Sequence, residues 1–418
     1  MTHNDQHLTA LTTTLRPNFG WAEAGAAKLV MDALEQARPN GSRFVGGCVR
    51  DSLLGILPND IDIATQLVPD DIVEAVLKAG LKAVPTGIEH GTITAVADGI
   101  GVEVTTLRAD VTTDGRRATV AFTEDWETDA TRRDFTLNAI YFTSDGYFYD
   151  PVGGVAAAQR GKVEFIGDAR MRIKEDYLRI LRFFRFSARF ANEFDGVGVA
   201  ACQDLKSNIS SLSAERIGDE FCKILELPNA PQAINAMHAA RILDEIWSHE
   251  ANISDFMTLK QHDPAAAAPL GLAVLFGDRD HDGDRSIDAA IRLSNAQALR
   301  RKSVVKNIGQ IERDMTTQDA RATLYKLGEE KWQDAVALAR VRLGGDKKYW
   351  DGLRALPNQW NIPVFPVGGK DILALGIEEG PQVAVILERV EKRWIAEEFP
   401  DEVRVRKLLA EIVANSTG

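Results

Sequence analysis

The chain has no long hydrophobic run. No apolar stretch among its 418 residues approaches the ~20 needed for a helix to cross a bilayer, which argues against a helical membrane protein and against a membrane partner. Cysteine is scarce as well. Cys48, Cys202 and Cys222 stand far apart, without the paired spacing of a zinc site or a disulfide framework, so all three read as reduced packing residues. The opening MTHNDQHLTALTTT lacks both the basic start and the apolar core of a leader segment, and a cytoplasmic location is the expectation. Positive charge is in deficit: 49 Lys and Arg face 61 Asp and Glu, for a net charge of −12. That balance excludes a protein that coats nucleic acid indiscriminately, so any RNA contact has to use local charge. Internal repeats and low-complexity tracts are missing too. What remains, 45% hydrophobic and 26% charged, is an ordinary globular composition with length for two or more domains, and nothing in it calls for an obligate protein partner.

Local positive charge is present. Between residues 160 and 189 lie Arg160, Lys162, Arg170, Arg172, Lys174, Arg179, Arg182, Arg185 and Arg189, against only Glu164, Asp168, Glu175 and Asp176. A smaller cluster, Arg300, Arg301, Lys302 and Lys306, fits either an RNA phosphate contact or an ordinary solvated face.

The stretch FVGGCVRDSLLGILPNDIDIA, residues 44–64, organises the rest. Gly46 and Gly47 remove side chains where a phosphate could approach the backbone, and residues 49–54 can start a helix whose first amides would face an anion. Arg50 adds a charged fork. Pro58 and Asn59 turn the chain into Asp60-Ile61-Asp62-Ile63, and a strand there puts both aspartates on one face, an arrangement suited to a divalent cation. Residues 101–108 alternate as a half-buried strand, and a position beside the Asp60 strand would bring Glu103 to the same cation.

Elsewhere the pattern is plainer. Residues 1 to about 20 read as a frayed arm, 22–38 and 68–79 as helices, and 93–96 as a strand. Residues 109–119, charged and without a hydrophobic period, read as a mobile loop. Residues 141–150 read as a hairpin turning at Asp145-Gly146. Arg132 and Arg133 need anionic partners, which a triphosphate and Asp134 could supply, and Asn138 can bond ribose hydroxyls. From Ala169 the period is helical, with Ser213 a candidate cap. Asp176, Arg179 and Arg182 are three apart, neighbours on a helix surface, while Leu178, Leu181 and Phe184 can face the core. One carboxylate plus one guanidinium complements the amino donor and ring-nitrogen acceptor that cytosine and adenine share, and rejects guanine and uracil. Asp176 with Arg179 supplies that pair. His262-Asp263 lacks the other ligands of a metal phosphohydrolase. Asp278 to Gly283 imitates a calcium loop but has Ala289 where a bidentate Glu is required, so it reads as an acidic surface loop.

The GGxVRD and DxD motifs, with RRDFTLNA at 132–139 and EDYLRILRFFRF at 175–186, resemble the nucleotidyltransferase superfamily, specifically the class II tRNA nucleotidyltransferases and bacterial poly(A) polymerases. The segment 85–92 looks like that of the tRNA enzymes rather than the arginine-rich version of the poly(A) polymerases, and the stretch from Pro366 to Gly376 resembles the tail of many bacterial tRNA nucleotidyltransferases, with Lys370 and its glycines a candidate tRNA phosphate contact. In the family, the counterpart of residues 109–119 is a flexible element needed for the final A.

The resemblance implies an α+β head with a polymerase-beta-like mixed sheet, residues 1–155. A helical neck with base recognition (156–220), a helical body (221–330) and a helical, tRNA-binding tail (331–418) would follow. It implies template-independent addition of CCA to the 3′ end of tRNA from CTP and ATP, with pyrophosphate leaving. Asp60 and Asp62 would hold two Mg²⁺ ions, Glu103 would complete the first site, and Gly46, Gly47, Arg50, Arg133 and Asn138 would bind the nucleotide. Asp176 and Arg179 would choose the base, and Arg182 and Arg185 carry over as nucleotide contacts. Three alternatives stand beside this: a poly(A) polymerase, a partial enzyme adding only CC or only A, and a non-catalytic tRNA-binding scaffold.

Overall fold

The computed structural model describes residues 8–12, 15–114, 117–247, 250–277 and 287–415. They fall into two compact units, Met1–Ile253 with Asp280–Leu293, and Ser254–Arg279 with Ser294–Gly418.

The first unit opens on strand β1 (Leu8–Ala10), followed by helix α1 (Gly25–Ala37), β2 (Ser42–Val45), α2 (Gly47–Leu53), β3 (Asp62–Thr65), α3 (Pro69–Lys78), β4 (Lys82–Gly87), β5 (Thr92–Ala97) and β6 (Ile100–Thr106). Next come β7 (Arg108–Asp114), β8 (Arg117–Phe122), α4 (Trp126–Thr131), β9 (Tyr141–Phe142) and β10 (Tyr147–Tyr149). An eight-stranded mixed sheet runs β1-β10-β9-β2-β3-β6-β5-β4, with β7 and β8 as a separate ribbon. β2 is buried along its whole length, and α1 packs Val30, Met31 and Leu34 beneath the sheet with no more than 1% exposure. Helices then take over: α5 (Gly154–Gln159), α6 (Ala169–Glu175), α7 (Leu178–Phe190), α8 (Gly196–Leu205) and α9 (Ala214–Glu226). Beyond Tyr149 every regular element among the described residues is helical. The expected mixed-sheet head with a helical remainder is therefore what the chain forms.

Two sequence expectations are corrected. The opening arm is tied down where it is described: β1 pairs with β10, and Phe19, 1% exposed, packs on Phe142 at 4.5 Å and Phe148 at 5.4 Å. Short polar sequence hid this, because the anchoring comes from a partner strand some 140 positions away. Residues 109–114 and 117–119, the described part of the expected loop, are instead strand, most of the β7–β8 ribbon, registered from Arg108↔Phe122 to Asp114↔Arg117. The β-branched run Val111-Thr112-Thr113 on β7 and the pair Thr119-Val120 on β8 carry strand propensity without the alternation that a buried face imposes.

α5 rests on the turn Thr136–Asn138, and Gly154 is where it touches. A Cβ on Gly154 would lie 2.1 Å from the Thr136 carbonyl oxygen, so the backbone has to move. Gly154→Ala is expected to cost about 1–3 kcal/mol in chemical denaturation and to weaken nucleotide binding by displacing Asn138; an unchanged unfolding midpoint would refute the contact.

The second unit is built on two apolar clusters, one around Trp332, Trp350 and Leu324, the other around Trp394, Val390 and Leu408. Its basic cluster is partly committed to structure. Arg300 bonds Asp334 at 2.8 Å and Glu330 at 3.0 Å, while Arg301, 1% exposed, donates to the Gly277 carbonyl. Asp263 pairs with Arg354 at 3.0 Å. In the tail segment Asp371 accepts from the Gly368 amide and pairs with Arg406, leaving Lys370 exposed. The stretch Asp278 to Gly283 lies outside the described residues. Among the described residues no helix is long and apolar enough to cross a membrane.

Candidate active site

β2 carries Phe44 and Val45 into the core and stops at Gly46, whose φ of +73° suits glycine. A side chain there would also meet the Arg133 guanidinium at 3.6 Å. Gly47 starts α2, and Cys48 pins that start beneath the sheet, its thiol donating to the Val45 carbonyl at 3.4 Å and the Asp62 carbonyl at 3.7 Å. Burial pushes this thiol up to about 12, and all three cysteines are free and buried, as packing residues should be. Arg50 is 6% exposed. It donates to Asp51 at 2.7 Å and to Asn138 Oδ1 at 2.6 Å, and lies over the Phe190 ring at 4.3 Å.

The carboxylates follow. β3 begins at Asp62, and Asp60 sits in the bend before it, not on the strand. This corrects the expected shared strand face: the turn at Pro58 and Asn59 extends through Asp60, so the two aspartates approach by a bend instead. β3 pairs in parallel with β6, and the register sets Asp62 beside Glu103, as the alternation of residues 101–108 suggested. The Asp62 carboxyl is raised to about 6, first by burial, then by the Glu103 charge, with Arg133 opposing and Asp60 adding. Among the described residues no three acidic, His or Cys side chains close into a ready-made ligand cluster. A hard divalent cation held by one or two carboxylates and completed by substrate phosphates fits this donor set.

Asp125 caps α4 through the amides of Glu127 and Thr128, fixing Asp129 on the inner side. Asp129 is 1% exposed and holds both arginines of the RRD motif, Arg132 at 2.7 Å and Arg133 at 3.0 Å. It also accepts from Tyr141 Oη at 2.8 Å and from the Arg108 amide at 3.1 Å. Burial would raise this carboxyl, but Arg133, Arg132 and Tyr141 hold it well below the usual carboxylate range. Asp134 pairs with Arg182 at 2.6 Å and accepts from Asn138 Nδ2 at 2.9 Å. Both ends of the Asn138 amide are thus engaged by protein.

On the helical side, Asp176 is not on the same helix as Arg179. It occupies the extended joint between α6 and α7, where its carboxylate accepts the Leu178 amide at 3.1 Å, a local capping bond that ends one helix and starts the next. Its other oxygen takes Arg216 of α9 at 2.7 Å. Arg179 pairs with Glu175 and donates to the carbonyls of Arg172 at 2.8 Å and Arg132 at 3.1 Å. Arg185 pairs with the buried Glu220 at 2.6 Å. Leu181 and Phe184 are core residues as expected, whereas Leu178 lines the cleft. Ser213 stands at the start of α9 but makes no side-chain capping bond.

These groups share one cleft of about 680 Å³, lined by Gly46, Gly47, Arg50, Asp60 and Asp62, by Arg133 and Asn138, and by Asp176, Arg179, Arg182 and Arg185. Glu103 stays exposed beside Asp62 on the neighbouring strand. Arg50, Arg132, Arg133, Arg179, Arg182 and Arg185 each lean on a carboxylate. The cleft therefore offers an anion oriented donors, fixed from behind, rather than a pool of free positive charge. The reading of the sequence missed the supports Asp51, Asp129, Arg216 and Glu220. Asp129 had a signal, since it lies in the last turn of a helix three and four positions before Arg132 and Arg133; Arg216 had none.

Two family models match: the poly A polymerase head domain over residues 42–164, and the probable RNA and SrmB-binding site of polymerase A over 198–249. The mouse mitochondrial CCA tRNA nucleotidyltransferase 1 is 34% identical over 84% of this chain and 82% of its own. The chain belongs to the class II CCA tRNA nucleotidyltransferases. The CCA-adding enzyme of Levilactobacillus brevis is 29% identical over 90% of this chain and 94% of its own. The solved Bacillus stearothermophilus CCA-adding enzyme, in complex with CTP, superposes with a TM-score of 0.70 at 25% identity, covering 96% of this chain and 98% of that one. Membership in this nucleotidyltransferase family implies divalent-metal catalysis, in keeping with the oxygen donors at Asp60 and Asp62.

Proposed function

We propose that the chain completes the 3′ end of tRNA, adding C, C and A without a nucleic-acid template from CTP and ATP. The observation that carries this is the joining in one cleft of two metal-type carboxylates, Asp60 and Asp62, with a carboxylate and guanidinium pair, Asp176 and Arg179, on the helical wall. The RNA 3′-hydroxyl attacks the α-phosphate and pyrophosphate leaves. Asp60 and Asp62, with Glu103 beside them, would hold Mg²⁺, which when bound neutralises triphosphate charge and lowers the pKa of the attacking hydroxyl. Gly46, Gly47, Arg50 and Arg133 cradle the phosphates. Asp176 accepts the amino group of cytosine or adenine, and Arg179 donates to the ring nitrogen. Arg182 and Arg185 steady the nucleotide from the same helix, and Asn138, whose amide oxygen also accepts from Arg50, meets the ribose hydroxyls.

Around this site we assign residues 1–155 to the catalytic head, 156–220 to the neck, 221–330 to the body and 331–418 to a tail that grips the acceptor arm. Three buried, unpaired cysteines suit a reducing, cytoplasmic setting.

Extension of a tRNA lacking its 3′ end, read at single-nucleotide resolution with CTP, ATP or both, tests the reading. Addition of C, C and A followed by a halt is expected. A long A ladder would mean a poly(A) polymerase, the activity that the matched head-domain description names; a stop after CC, or A alone, would mean a partial enzyme. Base choice has its own test. Asp176→Asn with Arg179→Gln presents a donor to O4 and an acceptor to N3–H of uracil, and is expected to raise UTP use relative to CTP at least about tenfold. Continued strict use of C and A would refute the template pair.

A further inference from the structure

A closed ring of side chains joins the glycine turn to the base-reading helix. Arg50 donates to Asp51 Oδ1 at 2.7 Å, and Asp51 Oδ2 accepts from Arg189 of α7 at 3.2 Å. In the other direction Arg50 donates to Asn138 at 2.6 Å, Asn138 to Asp134 at 2.9 Å, and Arg182 of α7 to Asp134 at 2.6 Å. Arg182 and Arg189 are two helical turns apart on one face of α7, and Phe186 and Phe190 of the same helix carry the Arg50 guanidinium at 5.3 Å and 4.3 Å. Arg50, Asp51, Asp134 and Asn138 are each at most 8% exposed.

We propose that Asp51 and Arg189 are positioning residues that lock α7 to the phosphate-binding turn, so that the fit of the base on α7 sets the grip of Arg50 on the triphosphate. This rests on the reading that Asp176 and Arg179 choose the base. The physical argument is the lack of slack. Asp51 and Asp134 each bridge α7 to the head, and the amide of Asn138 is used at both ends, so a shift of α7 cannot be absorbed by one bond turning. It breaks a charged contact to a buried carboxylate, Asp51 or Asp134, or it moves Arg50. A base that seats badly therefore weakens the phosphate grip some two helical turns away, and discrimination reaches beyond the base edge itself. Neither Asp51 nor Arg189 lines the cleft.

The test uses the full chain and a tRNA lacking its 3′ end. Arg189→Met keeps an apolar stem over Phe190 and removes the guanidinium of a side chain that is 42% exposed, so folding is preserved. Its kcat/KM for CTP and for ATP is expected to fall about tenfold, with a smaller CTP preference over UTP and an unchanged KM for tRNA. Asp51→Asn should do the same, the double variant should lose no more than the worse single one, and Arg189→Lys should restore part of the loss. A lowered melting temperature with wild-type nucleotide constants and selectivity overturns the proposal, as do strictly additive losses. Arg179→Ala in the same assay separates the two readings: intact selectivity there overturns the base-reading assignment, whereas intact nucleotide constants in Arg189→Met overturn the ring alone.

Discussion

Asp62→Ala is expected to abolish nucleotide incorporation while leaving tRNA binding largely intact. The loss should reach about a thousandfold or more, since cation-assisted stabilisation of a phosphoryl-transfer transition state is worth several kcal/mol and each 1.4 kcal/mol is roughly tenfold in rate. Asp62 is the carboxylate with the most to lose: it is half-buried at the first position of β3, Glu103 stands beside it in register, and burial and that neighbour lift its carboxyl to about 6. Two carboxylates held this close repel one another unless a cation lies between them. Removing Asp62 relieves the repulsion, so the variant should unfold at the same or a higher temperature, and its inactivity cannot then be laid to misfolding. Single-turnover incorporation and tRNA binding by filter retention decide the matter; turnover at the wild-type rate would remove Asp62 from the chemistry.

Much of this site is legible in the sequence because its parts are short and local. Gly46-Gly47, Asp60 with Asp62, and Arg132 to Asn138 each lie within a few residues of one another, so residue type and spacing bring them to one site even where, as at Asp60, the local backbone is a bend and not the expected strand. The alternation at residues 101–108 marks Glu103 as a strand residue, and the β3–β6 register is what sets it beside Asp62. Legibility fails where a partner is distant. Asp176 was expected on a helix surface with Arg179, yet its own capping of Leu178 breaks the helix there, and Arg216, far along the chain, takes its other oxygen. The β7–β8 ribbon reads as a loop in the sequence because it forms a two-stranded sheet of its own, outside the eight-stranded one, and its residues carry no hydrophobic period. The arm before residue 20 was read as frayed because one short strand and one phenylalanine do the anchoring.

The supports behind the arginines are the least legible part and the most consequential. With a net charge of −12, gripping a triphosphate beside RNA has to rest on local positive charge. Four of the 61 acidic residues, Asp51, Asp129, Asp134 and Glu220, stand behind guanidinium groups of the cleft and aim them, so the charge that matters to the substrate is local and the net balance is set elsewhere on the chain. Preorganised donors need no reordering when the nucleotide arrives, which is where their value to catalysis lies.

Asp129→Asn is expected to be the most damaging change outside the cleft, because one buried carboxylate serves Arg132, Arg133, Tyr141 and the Arg108 amide together. Asparagine keeps one acceptor and turns an amide donor toward a guanidinium, leaving charge uncompensated next to the core pair Trp126 and Tyr141. Breaking a buried ion pair from one side costs about 3–5 kcal/mol, and because water reaches part of both arginines the lower end, about 3 kcal/mol, is expected. Nucleotide KM should rise roughly tenfold or more as Arg133 loses its aim, with tRNA affinity unchanged. Acid supplies an independent check. The Asp129 carboxyl is held below its ordinary value in the folded chain, so it stabilises fully above its unfolded pKa of about 3.9 and progressively less as pH falls through the lower folded value. The stability gap between the natural chain and Asp129→Asn should therefore stay constant from neutral pH down to about 4 and narrow below it. Urea unfolding of both proteins across that range reads the gap directly; a gap that widens in acid, or a variant with full stability and full nucleotide affinity, would show that Asp129 does not hold the arginines.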